Sequence, residues 1–197
     1  PKFTLDSSNG FCGNTAYFIT SDDAALLGYM NSTLFWWFVF GLAEGLRGGQ
    51  WRLLMFSEHL AQLPIPASEK SRQSITKTAN TATTAARTRY DIISQFRRRI
   101  LDLAPPERRK LNTKLENWHD RDFTAFQAEI KKAFKTTIPV KERGEWEKYL
   151  VEQSAEVARL TAEIEAAEKD IDAIVYNLFD LTPDEINLLE ASIAGQK

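Results

Sequence analysis

The sequence predicts a predominantly helical α+β protein, in which a small mixed α/β lobe is followed by a long antiparallel helical hairpin. Two stretches, residues 68–103 and 145–178, repeat apolar or small residues with the spacing of amphipathic helices. The first 66 residues instead alternate short apolar runs with turn-forming residues, as short strands and turns do. Pro64 and Pro66 separate the two patterns, because proline bars a helix from continuing.

A short strand and two helices are predicted early in the first lobe. Tyr17–Ile19 indicates a strand, and Thr20 or Ser21 then offers a side chain that caps a helix reaching Met30. Asn31–Ser32 breaks that helix before a second, aromatic one begins.

The same region contains a charge-free window that resembles a membrane span. Residues 24–43 include no Asp, Glu, Lys or Arg, which is a property of transmembrane helices. Asn31–Thr33 nevertheless puts three polar residues in its middle, and Trp36 and Trp37 lie centrally rather than at an interface. We therefore predict two buried core helices and no membrane.

A glycine-framed basic turn follows at Arg47–Arg52, which reads Arg-Gly-Gly-Gln-Trp-Arg. Two adjacent glycines permit positive φ and close approach of a partner to the backbone. Arginine and glutamine supply bidentate hydrogen-bonding groups, which can read guanine and adenine edges in a major groove. The alternation from Trp51 to Phe56 predicts a strand, and Glu58–Leu60 a turn of helix before the exit through the two prolines.

Two long helices and several short ones are predicted beyond residue 67. Ser68 caps the first, whose apolar and small positions are Ile75, Ala79, Ala82, Ala86, Tyr90, Ile93, Phe96, Ile100 and Leu103. Residues 107–135 contain enough apolar spacing for two short helices, and 136–144 form a loop. The second long helix begins near Glu145 and keeps heptad spacing at Leu150, Val157, Leu160, Ile164, Ala167, Ile171, Ile174 and Leu178. Thr182-Pro183-Asp184-Glu185 combines the start signals of a last short helix.

Charge is distributed very unevenly along the chain. Residues 67–143 carry 18 basic and 9 acidic groups, whereas residues 144–197 carry 4 and 13. A basic middle of this kind indicates a surface that faces a polyanion. Cys12 is the single cysteine, which excludes an intrachain disulfide and cysteine-pair zinc sites and favours a reducing, cytoplasmic setting.

Catalytic motifs are missing from the sequence. Nucleophile-elbow, Walker and zincin patterns do not occur. His59 and His119 are the two histidines, and neither has a cysteine or second histidine nearby, so we expect no metal site from them. Glu129 and Lys131, with Asp122 upstream, partly match a metal-dependent nuclease site, but the apolar spacing of this helix predicts that these charges are solvated.

Two blocks of the chain carry a resemblance to a known protein family. The first combines Tyr17–Ile19, Leu26–Trp36, Arg47–Gly49 and Leu63–Pro66, and the second is the tail Glu168–Ile186. In this order they resemble the target-recognition domain of type II restriction-modification DNA methyltransferases, specifically the fused type IIG enzymes and related adenine-specific ones. Specificity subunits of type I systems are similar at a greater distance.

The resemblance implies that catalysis and DNA recognition lie in different parts of a longer protein. The parent protein would transfer a methyl group from S-adenosylmethionine to adenine N6, with or without a fused endonuclease. This chain lacks the Asn/Asp-Pro-Pro-aromatic hallmark, since Ala104-Pro105-Pro106-Glu107 has the prolines without either flank. The implied partners are double-stranded DNA and an upstream methyltransferase region. We expect this chain to be non-catalytic and to hold no cofactor.

Residues 1–66 are then expected to be part of the target-recognition lobe, and 67–197 a helical hairpin and spacer with a short C-terminal helix. The expected base contacts are Arg47, Gln50, Arg52, Asn9 and Asn14, and the expected phosphate contacts are Lys70, Arg72, Lys77 and Arg87. The alternative hypothesis is a helical scaffold that dimerises through the heptad helix without touching DNA.

Overall fold

The structure, a computed structural model, describes residues 3–6, 19–46, 52–54, 57–65 and 68–194. The α-helices in these ranges are α1 Ala24–Met30, α2 Thr33–Leu42, α3 Ser57–Ala61, α4 Glu69–Asp102, α5 Thr113–Glu116, α6 Phe123–Phe134, α7 Arg143–Leu178 and α8 Pro183–Ala194. The strands are β1 Glu44–Leu46 and β2 Arg52–Leu54. Short 3-10 turns lie at Pro106–Arg108, Trp118–Asp120 and Val140–Glu142.

The predominantly helical class is confirmed, but a mixed α/β first lobe is not supported. Within the described ranges, the strands form a single antiparallel pair of three residues each. Of the predicted strand at 17–19, only Ile19 is described, and it is not part of a strand. Helices α1 and α2 account for most of the regular secondary structure described in this lobe.

Contacts between residues divide the chain into two units. Unit 1 comprises residues 1–82 and 166–197, and unit 2 comprises residues 83–165. Helices α4 and α7 contribute one segment to each unit, because each helix crosses the division. The predicted boundary between residues 66 and 67 divides a DNA-recognition lobe from a helical spacer. It concerns function and stays a prediction.

Unit 1 is built around the two helices predicted from the charge-free window. Asp23 caps α1 by accepting hydrogen bonds from the backbone N–H groups of Ala25 and Leu26, so the predicted caps at Thr20 or Ser21 are wrong. Ser32 caps α2, as the predicted break requires. The core of unit 1 consists of Ala25, Tyr29, Met30, Leu34, Phe35, Val39, Leu63, Ile75, Ala79, Ile171, Val175, Tyr176 and Leu189.

No single helix in the described ranges is long and apolar enough to cross a membrane. Helices α1 and α2 have the length and apolar composition of a membrane span only when they are taken together, and the chain bends by 63° at the break between them.

Unit 2 has an aromatic core in which Phe96 of α4 is fully buried. The Phe96 ring stacks on Trp118 at a centroid distance of 3.8 Å and on Tyr149 of α7 at 5.0 Å. Arg89 of α4 also donates a hydrogen bond to Thr161 of α7 at 3.0 Å. Moving along α4 from Arg89 to Phe96, the partner on α7 changes from Thr161 back to Tyr149. The two helices are therefore antiparallel within this unit.

The two short helices predicted over 107–135 are α5 and α6. Asn112 caps α5 by accepting the backbone N–H of Leu115, and Asp122 caps α6 by accepting that of Ala125. Leu115 and the buried apolar residues of α6 then join the aromatic core of unit 2. The last helix, α8, has the predicted capping box, because Thr182 and Glu185 exchange hydrogen bonds.

The predicted seam of α4 is partly wrong. Tyr90 was assigned to it, yet its side chain is 68% exposed. Ala85 rather than Ala86 is buried, where it packs with Leu160 and Ile164 of α7. Leu160 and Ile164 of the predicted α7 seam are therefore packed within the chain itself.

Gly28 of α1 lies against α4, and an added Cβ there would meet Ile75 Cγ2 at 2.6 Å and Ala79 Cβ at 3.2 Å. Overpacking costs about 1–3 kcal/mol, against a helix-propensity gain of up to about 1 kcal/mol. Because Ile75 is buried and β-branched, it cannot move aside easily. We expect Gly28→Ala to lower the free energy of unfolding by about 1–2 kcal/mol, as measured in urea.

Gly41 of α2 provides the matched control for this substitution. A Cβ at Gly41 would meet no atom of the described residues within 4 Å, so Gly41→Ala should leave stability unchanged or raise it by up to about 1 kcal/mol. Equal effects of the two substitutions would contradict the close packing of α1 on α4.

Candidate nucleic-acid interface

The predicted base-reading turn lies between two antiparallel strands. Leu46 of β1 pairs with Arg52 of β2, followed by Gly45 with Leu53 and Glu44 with Leu54. Arg47 and Gln50 fall between these strands in sequence but lie outside the described residues, as do Asn9 and Asn14. Arg52 is described by its backbone alone. The structure therefore gives the position of the β-ribbon and leaves these five residues as predictions.

The ribbon directly follows an apolar helix that is anchored from several sides. Helix α2 ends at Leu42, and β1 begins two residues later. Thr33, the first residue of α2, donates its backbone N–H and its hydroxyl to the carboxylate of Asp172, both at 2.7 Å. Phe3 packs on Phe35 and Trp36 at centroid distances of 5.7 and 5.6 Å. The β-ribbon thus extends from a firmly packed base, as recognition segments commonly do.

Asp172 is itself a half-buried carboxylate in unit 1. Burial raises its pKa above the ordinary value, the two hydrogen bonds from Thr33 oppose that rise, and the negative charges of Glu190 and Glu168 add to it. The group lies at the N-terminus of α2, where a negative charge is favourable. Its contacts tie α7 to α2, and we assign it this structural role.

The predicted phosphate contacts of unit 1 differ in their surroundings. Lys70 and Lys77 are exposed on α4 and have no ion-pair partner among the described residues. Arg72 instead donates to Asp23 at 2.7 Å. Burial alone would raise the pKa of Asp23, but the hydrogen bonds from Arg72 and from two backbone N–H groups hold it below its ordinary value. Arg72 therefore supports the cap of α1 as well as being a predicted phosphate contact.

In unit 2, Arg87 is exposed on α4, whereas several nearby arginines bind within the protein. Arg97 donates to the backbone carbonyl of Glu116 at 3.0 Å. The Arg99 guanidinium lies over the Tyr149 ring, 5.0 Å from its centroid. Much of the basic run 97–99 is thus structural, which leaves Arg98 as its exposed member without a partner in the described part of the chain.

His119 and Asp122 have structural roles in unit 2. No cluster of three or more His, Cys, Asp or Glu residues in the described ranges could hold a metal ion. His119 packs edge-on against Trp118, and its pKa is lowered by burial and by the positive charges of Arg97 and Arg89, against the effect of Asp120. Asp122 is a helix cap, as described above.

Glu129 corrects a prediction made from the sequence. It was expected on the solvated side of α6, yet it is buried, with 7% of its surface exposed. Its carboxylate accepts a hydrogen bond from the Asn112 side chain at 2.7 Å and lies 3.9 Å from the Lys114 ammonium. The contact joins α5 to α6. Lys131, its partner in the partial nuclease pattern, is exposed.

One group of basic residues was not predicted as a site. Lys131, Lys132 and Lys135 are exposed at the end of α6 and line one shallow hollow together with Ala128. The signal was present in the sequence, because the spacing of Phe126, Ile130 and Phe134 leaves these lysines on the opposite face.

Comparisons with known proteins give one match. No curated protein and no solved structure matches the chain. A family model described as "Domain of unknown function (DUF8810)" matches residues 68–175, from the cap of α4 into the last turn of α7. This match covers more than half of the chain, which therefore belongs to the DUF8810 family.

Proposed function

We propose that this chain recognises double-stranded DNA in a sequence-specific manner, as the non-catalytic C-terminal part of a restriction-modification adenine methyltransferase. The observation that carries the proposal is the antiparallel pairing of β1 with β2 on either side of the basic turn. A two-stranded ribbon is narrow enough to enter the major groove, which is about 12 Å wide.

The chemistry of the turn supports the same partner. Arg47 and Gln50 lie between the strands in sequence, and Arg52 pairs with the last residue of β1. Arginine reads guanine and glutamine reads adenine through two hydrogen bonds each. Exposed cations elsewhere, such as Lys70, Lys77 and Arg87, suit the phosphates, which fix position without reading sequence.

The catalytic steps belong, in this proposal, to an upstream methyltransferase region. The Pro105-Pro106 pair lacks the flanking residues of the methyltransferase hallmark, so this proposal assigns S-adenosylmethionine to the upstream region. The recognition lobe would choose the DNA site, and the long helices would space or dock it against the catalytic region. A cytoplasmic location is part of the same proposal.

The alternative, a homodimer formed through the heptad helix, has less support. Leu160 and Ile164 pack against Ala85 inside unit 2. A dimer would therefore have to use another face of α7, whose exposed side carries many charges. We retain the dimer as a second proposal that solution measurements can test separately.

Arg47→Ala tests the proposed function. A preferred duplex is first selected from a random pool with the wild-type chain, and affinities for this duplex and for a random one are measured by fluorescence anisotropy. Loss of one bidentate contact costs about 1–3 kcal/mol of discrimination, so we expect the preference ratio to fall roughly five- to hundredfold. Affinity for random duplex should be largely retained.

Arg98→Ala is the control, since Arg98 is exposed and has no partner in the described ranges. It should change both affinities by the same factor and leave their ratio as in the wild type. If Arg47→Ala also left the ratio unchanged, the turn would not read bases.

A further inference from the structure

We propose that Lys131, Lys132 and Lys135 form a second DNA contact, which binds phosphates of the duplex without reading its sequence. This inference rests on the proposed function and adds a site in unit 2, whereas the β-ribbon belongs to unit 1. The observation behind it is the shared hollow that these three lysines line with Ala128.

The helix that presents the lysines is held firmly. Asp122 caps its start, and Phe126, Ile130 and Phe134 are almost completely buried in the aromatic core. Glu129, the one acidic residue between Phe123 and Phe134, is directed into the protein towards Asn112. The exposed face of α6 therefore bears positive charge without a compensating carboxylate of its own helix.

The backbone of Lys135 provides an independent observation. Lys135 has a φ of 59°, in the left-handed region, and its N–H donates to the carbonyl of Lys131 at 3.1 Å. Glycine or asparagine usually occupies this position after a helix, because a Cβ is unfavourable there. Among the described residues, Asp180 is the other non-glycine residue with positive φ, and aspartate tolerates it better than lysine does. This cap fixes the backbone of Lys135 directly after α6, and its side chain lines the hollow with those of Lys131 and Lys132.

Duplex DNA fits this surface better than a membrane does. The apolar face of α6 is already used in the core, and Ala128 is the apolar residue in the hollow, so nothing is available for insertion into lipid. Lys131 and Lys135 line the same hollow, and their flexible stems can reach phosphates of one strand.

Lys131→Gln/Lys135→Gln in the full chain tests this contact with a fluorescein-labelled random duplex. Each phosphate contact contributes about −0.9 to the slope of log affinity against log salt concentration. We expect the slope to become shallower by about 2 and affinity at about 0.1 M salt to fall roughly tenfold per lysine. The ratio of affinities for the selected and random duplexes should not change.

The control is Lys148→Gln/Lys169→Gln, which removes the same charge from exposed positions of α7. Its affinity should fall much less. Equal losses of duplex affinity in both double variants would contradict the proposal. So would an α6 variant that loses stability but keeps its duplex affinity, because the lysines would then only balance the negative end of the helix dipole. Binding of the wild type to anionic vesicles through these lysines, without binding to duplex, would overturn the DNA assignment.

Lys135→Gly separates binding from folding. Glycine adopts the left-handed conformation without strain, so the melting temperature should equal or exceed that of the wild type while duplex affinity falls about tenfold. Unchanged affinity would contradict the proposal.

The outcomes for the two proposals are distinct. If the wild type prefers a selected duplex and the lysine variants match their control, only the second contact is wrong. If the lysines govern binding but no duplex is preferred, the sequence-specific function is wrong and the phosphate contact remains.

Discussion

Leu160→Asp is expected to unfold unit 2, because it replaces a core side chain of α7 by a charge with no partner. Leu160 is 3% exposed and packs with Ala85 of α4. Losing a buried leucine costs about 2–5 kcal/mol, and burying an unpaired carboxylate adds to that cost. The sum exceeds about 4 kcal/mol, which is a large part of the stability of an ordinary domain. Urea unfolding followed by circular dichroism measures it.

Val151→Asp on the same helix is the matched control. Val151 is 61% exposed, so the same new charge should change stability by no more than about 0.5 kcal/mol. Sedimentation of both variants adds a test of the dimer. A folded, monomeric Leu160→Asp protein beside a dimeric wild type would show that the seam joins two chains instead of packing within one.

Phe96→Ala is expected to destabilise the protein by about 3–5 kcal/mol, the usual cost of removing a fully buried phenylalanine. Its ring lies between those of Trp118 and Tyr149, so its loss leaves a cavity in the centre of the aromatic core. The near-ultraviolet circular dichroism of the aromatic residues should weaken, and the urea midpoint should fall.

Tyr90→Ala provides the comparison within α4. Tyr90 is an aromatic residue of the same helix but is 68% exposed, and we expect a change of about 0.5 kcal/mol or less. If Tyr90→Ala destabilised the protein as strongly as Phe96→Ala, the seam predicted from the sequence would be right and the structural assignment wrong.

The long helices could be predicted because their signals are local. Ser68 precedes α4, and the Thr182 and Glu185 capping box opens α8, as their spacing predicts. The orientation of a seam depends on its partner helix, however. Tyr90 satisfies the spacing of an apolar stripe, yet the packing of Ala85 against α7 turns it towards solvent.

Polar contacts between distant segments could not be predicted from spacing. Thr20, Ser21 and Asp23 can all cap a helix, and Asp23 does so beside Arg72, 49 positions away. Glu129 borders the apolar stripe of α6, and an amide from Asn112 makes its burial favourable. At the candidate site, the adjacent glycines predicted a turn before a strand near Trp51, whereas β1 on the other side was not predicted. No local signal fixes which side chains of that turn touch a base.

The affinity of the wild-type chain for a duplex selected from a random pool, relative to the unselected pool, tests the central claim most directly. A sequence-specific binder prefers its site by about a thousandfold or more at physiological salt. We predict such a preference, with an affinity that falls steeply as salt rises. Equal affinity for selected and unselected duplexes at every salt concentration would contradict the proposal that this chain recognises a DNA sequence.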